Sequence, residues 1–374
     1  MIYFDAAATT LQKPPAVRRA VACAIEQLAS PGRGGYWQAQ AAERTMFGCR
    51  LEAAKLFSCE PEQVVFTMNA THGLNLAIKS LVLPGDRVVI SGFEHNAVHR
   101  PLFAAGAEMV VAGRRLFDRD GMLNAFDKEI TGHTAAVVCN HVSNVFGFIL
   151  PIEEIAKLCR ERGVPLIVDA SQSAGCLPLS LKELGAQFIA MPGHKGLFGP
   201  QGTGLLLCAQ PGRPLLEGGT GSQSRQIEMP EELPERLEAG TPNVCGIAGL
   251  RAGIQFVRDT GEGEILGHEA ALRCRLQAKL RKYERVQYFC APSDQQSGVI
   301  SMRIDGVDCE DAAQMLAQKG IAVRAGLHCA PLAHESAGTL EGGTVRISFS
   351  PFNTAREVDC FACALGDLLR LTER

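Results

Sequence analysis

This chain has one tryptophan, four tyrosines and no apolar run long enough to span a bilayer. Charge of one sign is missing too: 37 Lys+Arg stand against 40 Asp+Glu, so nothing points to nucleic acid or an anionic membrane as a partner. No basic stretch followed by an apolar one opens the chain, so no secretory signal is expected. There are no repeats and no low-complexity tracts. Cysteine is plentiful, with fourteen residues, but the repeating frame of a disulfide-stapled domain is absent. Free thiols in a reducing, cytoplasmic compartment are therefore expected. A composition of 46% hydrophobic and 21% charged residues is ordinary for a soluble protein. At 374 residues the chain exceeds a single compact core, which predicts two domains.

The stretch Phe188-Ile189-Ala190-Met191-Pro192-Gly193-His194-Lys195-Gly196-Leu197-Phe198-Gly199-Pro200-Gln201-Gly202 is central. A short apolar run, the length of a buried strand, ends in a His-Lys pair among glycines and prolines. Lys195 is either a surface lysine in a turn or a partly desolvated amine able to condense with an aldehyde.

Residues 2–15 read as a short extended arm. Pro15 can open a helix, and a second helix is expected at 37–57, after a break at 30–35. Seven apolar runs follow, at 63–67, 86–91, 107–112, 135–140, 164–169, 186–191 and 203–208. They read as strands buried on both faces, most of them alternating with helices (73–81, 96–105, 152–162), which argues an α/β layered domain. The last two runs are joined by a loop alone, so one is a candidate for antiparallel pairing. Past Pro242 the pattern is α+β: an amphipathic segment at 262–283, strands at 298–304, 321–324 and 344–350, a helix at 309–319 and a closing helix. The expected division is a large domain at 14–255 and a small one at 256–374, with the arm 1–13 near the site.

In parallel sheets the ligand sits beyond the carboxyl ends of the strands. There the sequence places Thr71-His72, Glu94-His95, His141-Val142-Ser143-Asn144, Asp169 with Gln172, and His194-Lys195. Small residues and a hydroxyl at a helix start suit a phosphate. Asp169 is open to two readings, a helix cap or the partner of a protonated pyridine nitrogen. His95 is a surface histidine or a planar group stacked on a cofactor; Asn144 and Gln172 taken alone read as turn residues. Cys329 lies in a Gly-containing loop beside His328 and near Arg324, a setting that favours thiolate. Cys360 and Cys363, spaced as CxxC, read as core packing. Arg346, inside an apolar strand, is either half of a buried ion pair or a clamp on a carboxylate.

Together Glu94-His95, His141-Val142-Ser143-Asn144, Val168-Asp169-Ala170-Ser171-Gln172, Gly193-His194-Lys195, Ala239-Gly240-Thr241-Pro242-Asn243 and Arg324-Ala325-Gly326-Leu327-His328-Cys329-Ala330 carry a resemblance over essentially the whole chain. The chain resembles the cysteine desulfurases and selenocysteine lyases, class V aminotransferases of the fold-type I pyridoxal phosphate enzymes. The resemblance implies a seven-stranded, mostly parallel sheet with a smaller α+β C-terminal domain, and pyridoxal 5'-phosphate as cofactor. It implies that Lys195 holds the cofactor as a Schiff base and moves protons at the substrate α-carbon. Asp169 would pair with the pyridine nitrogen, Gln172 would bond the phenolic oxygen, and His95 would stack on the ring with Asn144 close by. Thr71, His72 and His194 would hold the phosphate, joined by Thr241 from the second subunit of a homodimer. Ala7, Asn144, Arg324 and Arg346 would line the substrate pocket, with Arg346 on its carboxylate. Cys329 would take sulfur from cysteine as a persulfide, release alanine and pass the sulfur to an acceptor protein.

Two departures stand out. Pro192 occupies a position that usually carries a phosphate-binding hydroxyl, and the turn Gly218-Gly219-Thr220-Gly221-Ser222 differs from better-known members. Seventeen positions separate Cys329 from Arg346, close to the short catalytic loop of the group that includes selenocysteine lyases. Selenocysteine lyase activity is the competing enzymatic reading. A catalytically silent sulfur carrier or scaffold of the same fold is the non-enzymatic one.

Overall fold

Between residues 64 and 208, successive strand residues alternate between two apolar faces, so the sheet they form is covered by helices on both sides. The computed structural model describes residues 1–32, 34–291 and 294–372. Arg33, in the expected break at 30–35, lies outside them.

After the arm strand β1 (Ile2–Tyr3), helices α1 (Pro15–Gln27) and α2 (Trp37–Phe57) lead into β2 (Val64–Thr67). Then follow α3 (Ala70–Leu81), β3 (Arg87–Ser91), α4 (Asn96–Ala104), β4 (Glu108–Ala112), α5 (Arg119–Glu129) and β5 (Thr134–Asn140). The run continues through α6 (Ile152–Glu161), β6 (Leu166–Asp169), α7 (Leu181–Leu184), β7 (Phe188–Pro192) and β8 (Gly204–Cys208). The sheet order is β2-β8-β7-β6-β5-β3-β4. β8 runs antiparallel to both β2 and β7, and the remaining pairs are parallel. All seven expected runs are strands, and the loop-only connection produces the reversed one. Helix α3 starts three residues before the expected 73 because Asn69 caps it, its Oδ1 accepting the His72 N–H at 2.9 Å.

The face carrying Val64, Val89, Val137 and Val168 packs on α2, α5, α6 and the next helix, α8 (Val244–Thr260). The face carrying Val65, Ile90, Val138 and Ile167 packs on α3 and α4. Helix α8 crosses the 255/256 division expected from sequence. Its glycines allow close contact: a Cβ on Gly253 would strike Leu197 O, in the turn just after Lys195.

The rest of the chain is α9 (Glu262–Leu280), β9 (Val286–Phe289), β10 (Val299–Ile304), α10 (Cys309–Gln318), β11 (Ile321–Ala322), β12 (Arg324–Gly326), α11 (Pro331–Ala337), β13 (Thr344–Ser348) and α12 (Ala355–Leu371). A four-stranded antiparallel sheet, β12-β13-β10-β9, packs on α9, α10 and α12. The single strand expected at 321–324 is two strands in different sheets. β11 pairs in parallel with β1, and β12 pairs with β13. The cause is the arm, which offers β11 a partner of its own and sinks Phe4 against Phe349 (5.0 Å) and Phe361 (6.0 Å).

The two sheets meet through the loop between β5 and α6. Ser301 Oγ donates to Val145 O at 2.6 Å and Gln296 Nε2 to Phe146 O at 2.8 Å. Gly147, at φ +68°, lies so near β10 that a Cβ would come within 2.7 Å of Val299 O. Cys360 and Cys363 correct an expectation: they sit on the exposed side of α12 and not in the core. Among the described residues no group of side chains is arranged to hold a metal, and no helix is long and apolar enough to cross a membrane.

Gly253→Ala is expected to destabilise the fold by about 1–3 kcal/mol through overpacking against the turn after Lys195. Gly267→Ala, mid-helix in α9 with nothing within 4 Å of its Cβ position, is expected to stabilise by about 0.5–1 kcal/mol. Denaturant midpoints of the two variants check the contrast.

Candidate active site

A cleft opens at the carboxyl ends of β5, β6 and β7, lined among others by Thr71, His95, Asn144, Asp169, Gln172 and Lys195. Lys195 follows β7 by three residues. The turn is held close by glycines, since a Cβ on Gly196 would strike Ala174 O and one on Gly193 would strike Thr203 Oγ1. Burial lowers the Lys195 pKa to about 8; Asp169 and then Asp5 and Cys329 oppose the shift, and Arg346 adds to it. Groups from the arm and both sheets therefore act on one amine.

Asp169 closes β6 and is buried. Its Oδ1 accepts the Ser171 N–H at 2.9 Å. His95 caps α4, and its Nδ1 accepts the Ala97 N–H at 2.9 Å, which leaves the ring proton on Nε2. Burial holds its pKa below the ordinary value, against the pull of Asp169. Gln172 Nε2 donates to Ala7 O at 3.0 Å, and the Ala7 N–H donates to Ser348 Oγ at 2.9 Å. The arm is thus bonded to Gln172 of the cleft wall.

The His194 carbonyl is the arm's main anchor. It accepts from Thr10 N (3.1 Å), Thr10 Oγ1 (3.0 Å) and Lys13 Nζ (3.0 Å), and Thr9 Oγ1 lies 3.2 Å away. The His194 ring bonds Thr9 Oγ1 through Nδ1 at 3.0 Å, and burial lowers its pKa to about 4, so it is neutral at physiological pH. Thr71 and His72 occupy the first turn of α3, whose leading N–H groups lie free of intrahelical partners. His72 Nδ1 takes the Met68 N–H at 3.3 Å. Pro192 ends β7, buried and lining the cleft without a donor.

Thr241 is not brought to this cleft. It is exposed, on the rim of a wide groove of about 1430 Å³ that also reaches His72 and is edged by the exposed Phe47, Met68 and Leu216.

Arg346 is 2% exposed. Its Nη1 donates to Asn144 O and its Nη2 to Asp5 Oδ1, both at 2.9 Å, and its Nε has no partner. Arg324 binds the same acid, with Nη2 2.8 Å from Asp5 Oδ2. Asn144 Nδ2 donates to His328 O at 2.8 Å, while its buried Oδ1 has no partner. Cys329 is exposed. Its carbonyl accepts the Asn96 N–H at 2.8 Å, and both His328 (φ +50°) and Cys329 (φ +55°) are left-handed. The thiol-bearing loop is therefore pinned at two successive carbonyls. His328 does not support a thiolate: its ring is buried against Thr344 and His334, and burial drives its pKa far below the ordinary value. Arg324 and Lys195 are the cations electrostatically coupled to Cys329. By contrast, burial pushes the thiols of Cys49, Cys59 and Cys159 up to about 12, which leaves them inert.

Asp5, Thr9, Thr10 and Lys13 were not anticipated as parts of the site; they lie in a short arm with no periodicity, and only the cluster of small polar residues marks them. Glu94 also gains a place. Its Oε1 accepts from Ser91 Oγ (2.5 Å) and Asn140 N (2.9 Å), and burial raises its pKa to about 8.

The donor set fits pyridoxal 5'-phosphate: a helix N-terminus with Thr71 for a phosphate, a buried carboxylate for a ring nitrogen, a planar His95 and a lysine of lowered pKa. The aminotransferase class-V family model matches residues 2–361. A probable cysteine desulfurase of Methanothermobacter thermautotrophicus is 31% identical over 378 residues, covering 98% of this chain and 94% of the relative. A cysteine desulfurase of Haloferax volcanii is 33% identical over 313 residues, covering 80% and 72%. The apo structure of a cysteine desulfurase from Thermococcus onnurineus superposes with a TM-score of 0.90 at 31% identity, covering 99% of this chain and 94% of that one. A cysteine desulfurase from Escherichia coli superposes with a TM-score of 0.87 at 27% identity, covering 99% and 94%. By its sequence, its sheet topology and the residues gathered around Lys195, this chain belongs to the class-V aminotransferases, in their cysteine desulfurase branch.

Proposed function

We propose that the chain is a pyridoxal 5'-phosphate-dependent cysteine desulfurase that converts L-cysteine to L-alanine and keeps the sulfur as a persulfide on Cys329. The observation that carries this reading is geometric: Lys195, Asp169 and Asn144 line one cleft, and Asn144 bonds both Arg346 and the loop that bears Cys329. It supports one site holding a cofactor-binding lysine, a carboxylate clamp and a thiol.

Bound in the cleft, the cofactor supplies an electron sink for the pair left at the substrate α-carbon. Lys195 would hold the cofactor and would move protons at the substrate α-carbon. Asp169 would hold a proton on the ring nitrogen, and His95 would stack on the ring. Gln172 would bond the phenolic oxygen, and Thr71, His72 and His194 would hold the phosphate, with Pro192 adding no bond. Arg346 takes the substrate carboxylate, with Ala7, Asn144 and Arg324 around it. The Cys329 thiolate attacks the substrate sulfur: an S–S bond forms, the Cβ–S bond breaks, and its electron pair goes to carbon, which takes a proton. The products are alanine and the Cys329 persulfide. A pinned loop keeps that sulfur near the cleft, which favours transfer to an acceptor protein that comes to it.

The position of Thr241, in a groove edged by exposed apolar side chains and away from its own cleft, supports a homodimer in which Thr241 of the partner subunit completes the phosphate site. Fourteen free cysteines support a reducing, cytoplasmic setting. The large unit at 14–255 and the small unit at 256–374, with the arm 1–13, are the proposed domains.

Replacing Cys329 by Ala is expected to cut alanine formation from L-cysteine by more than about a hundredfold while the visible absorbance of bound cofactor stays unchanged. Alanine and absorbance read in one sample check it, and undiminished turnover rejects the persulfide route. The lowered Lys195 pKa has its own signature. Only the neutral amine condenses, so cofactor uptake by the cofactor-free chain is expected to rise with pH and level off above about 8. A rise continuing toward the ordinary lysine value near 10.4 contradicts the desolvated amine.

A further inference from the structure

Arg324 and Arg346 stand directly opposite each other in the β12–β13 ladder, an arrangement that sets like charges face to face. Asp5 lies between them. Its Oδ1 accepts from Arg346 Nη2 at 2.9 Å, and its Oδ2 accepts from Arg324 Nε at 3.0 Å. Arg346 has a side-chain exposure of 3% and Asp5 of 9%, whereas Arg324 reaches 51%. A guanidinium that deep requires a counter-charge. Its other acceptor, Asn144 O, is neutral. Asp5 is itself fixed by its neighbours: β1 pairs with β11, Phe4 is buried against Phe349 and Phe361, and Ala7 is bonded to Ser348.

We propose that Asp5 is a positioning residue of the carboxylate subsite, holding the Arg346 guanidinium in one plane and reducing the charge of the arginine pair from two to one. The inference rests on the assignment of Arg346 to the substrate carboxylate. With Nη1 and Nη2 each tied to one acceptor, the fork cannot rotate, and its remaining N–H groups meet an incoming carboxylate preorganised. The single positive charge left over matches a monocarboxylate amino acid. Arg324 stays tethered beside Cys329 by the same acid.

The test uses the full-length holoenzyme and two ligands that differ by one carboxylate, L-cysteine and cysteamine, with L-alanine as the product ligand. In Asp5→Ala, KM for L-cysteine and Kd for L-alanine are expected to rise about tenfold or more, with kcat within about threefold. Cysteamine binding and the absorbance of bound cofactor stay at wild-type values. An unchanged or lowered L-cysteine KM, or equal weakening of L-alanine and cysteamine, overturns the proposal, because a general loosening of the arm does not discriminate between them. Asp5→Asn keeps the shape and an acceptor oxygen but not the charge; its carboxylate-specific rise of about three- to tenfold decides the matter where the alanine variant does not fold. If wild-type protein itself binds L-alanine no better than cysteamine, the assignment of Arg346 falls and the proposal with it. If wild-type protein leaves L-cysteine unconverted, the desulfurase reading is the one that fails.

Discussion

Arg346 is a cation with almost no access to water, and it is satisfied only where three distant parts of the chain meet. Its own strand belongs to the small sheet, Asn144 O comes from the loop after β5 in the large sheet, and Asp5 comes from the arm. Removing a guanidinium from water is costly unless good partners replace the lost hydration. The cleft is therefore a place where the two sheets and the arm are held together by one electrostatic requirement. The neighbouring contacts reinforce the junction: Asn144 Nδ2 reaches His328 O, and Gln172 Nε2 reaches Ala7 O.

The same low-dielectric setting tunes the other ionisable groups. Burial pulls Lys195 down and Glu94 up, each to about 8, while His95, His141, His194 and His328 are all kept toward their neutral forms. Near neutral pH these histidines and Glu94 are thus uncharged, while Lys195, at about 8, still carries most of its proton. Cys329 stands apart from the sealed thiols because its loop carries it to the surface.

Much of this was legible in the residues. The seven strands were visible because a doubly covered sheet requires runs such as Val88-Val89-Ile90 that are apolar on both faces, and the reversed β8 followed from the absence of a helix before it. Asp169 and Lys195 stood out as polar groups ending such runs. The division of 321–324 into two strands was not legible, because β11 depends on a partner more than 300 residues away. Helix α8 was hidden by Gly246, Gly249 and Gly253, which weaken helical propensity but permit tight packing. Asp5 gave no local signal, since an acid in a short arm acquires meaning only from the two arginines that fold onto it. Adjacency to Cys329 in sequence says nothing of where the His328 ring points; in a left-handed pair of residues it turns inward.

The arm has a consequence for how the molecule is made. Asp5 and Arg346 are 341 positions apart, and Thr10 and His194 are 184 apart. Loop closure over such spans is slow. The arm is synthesised before any of these distant partners; Thr10 can meet His194 first, but Asp5 stays without its two arginines until β12 and β13 have been made. Competence for catalysis is thus acquired late, as the arm anneals onto the small sheet, and a nascent chain cannot hold a finished cleft before β13 emerges.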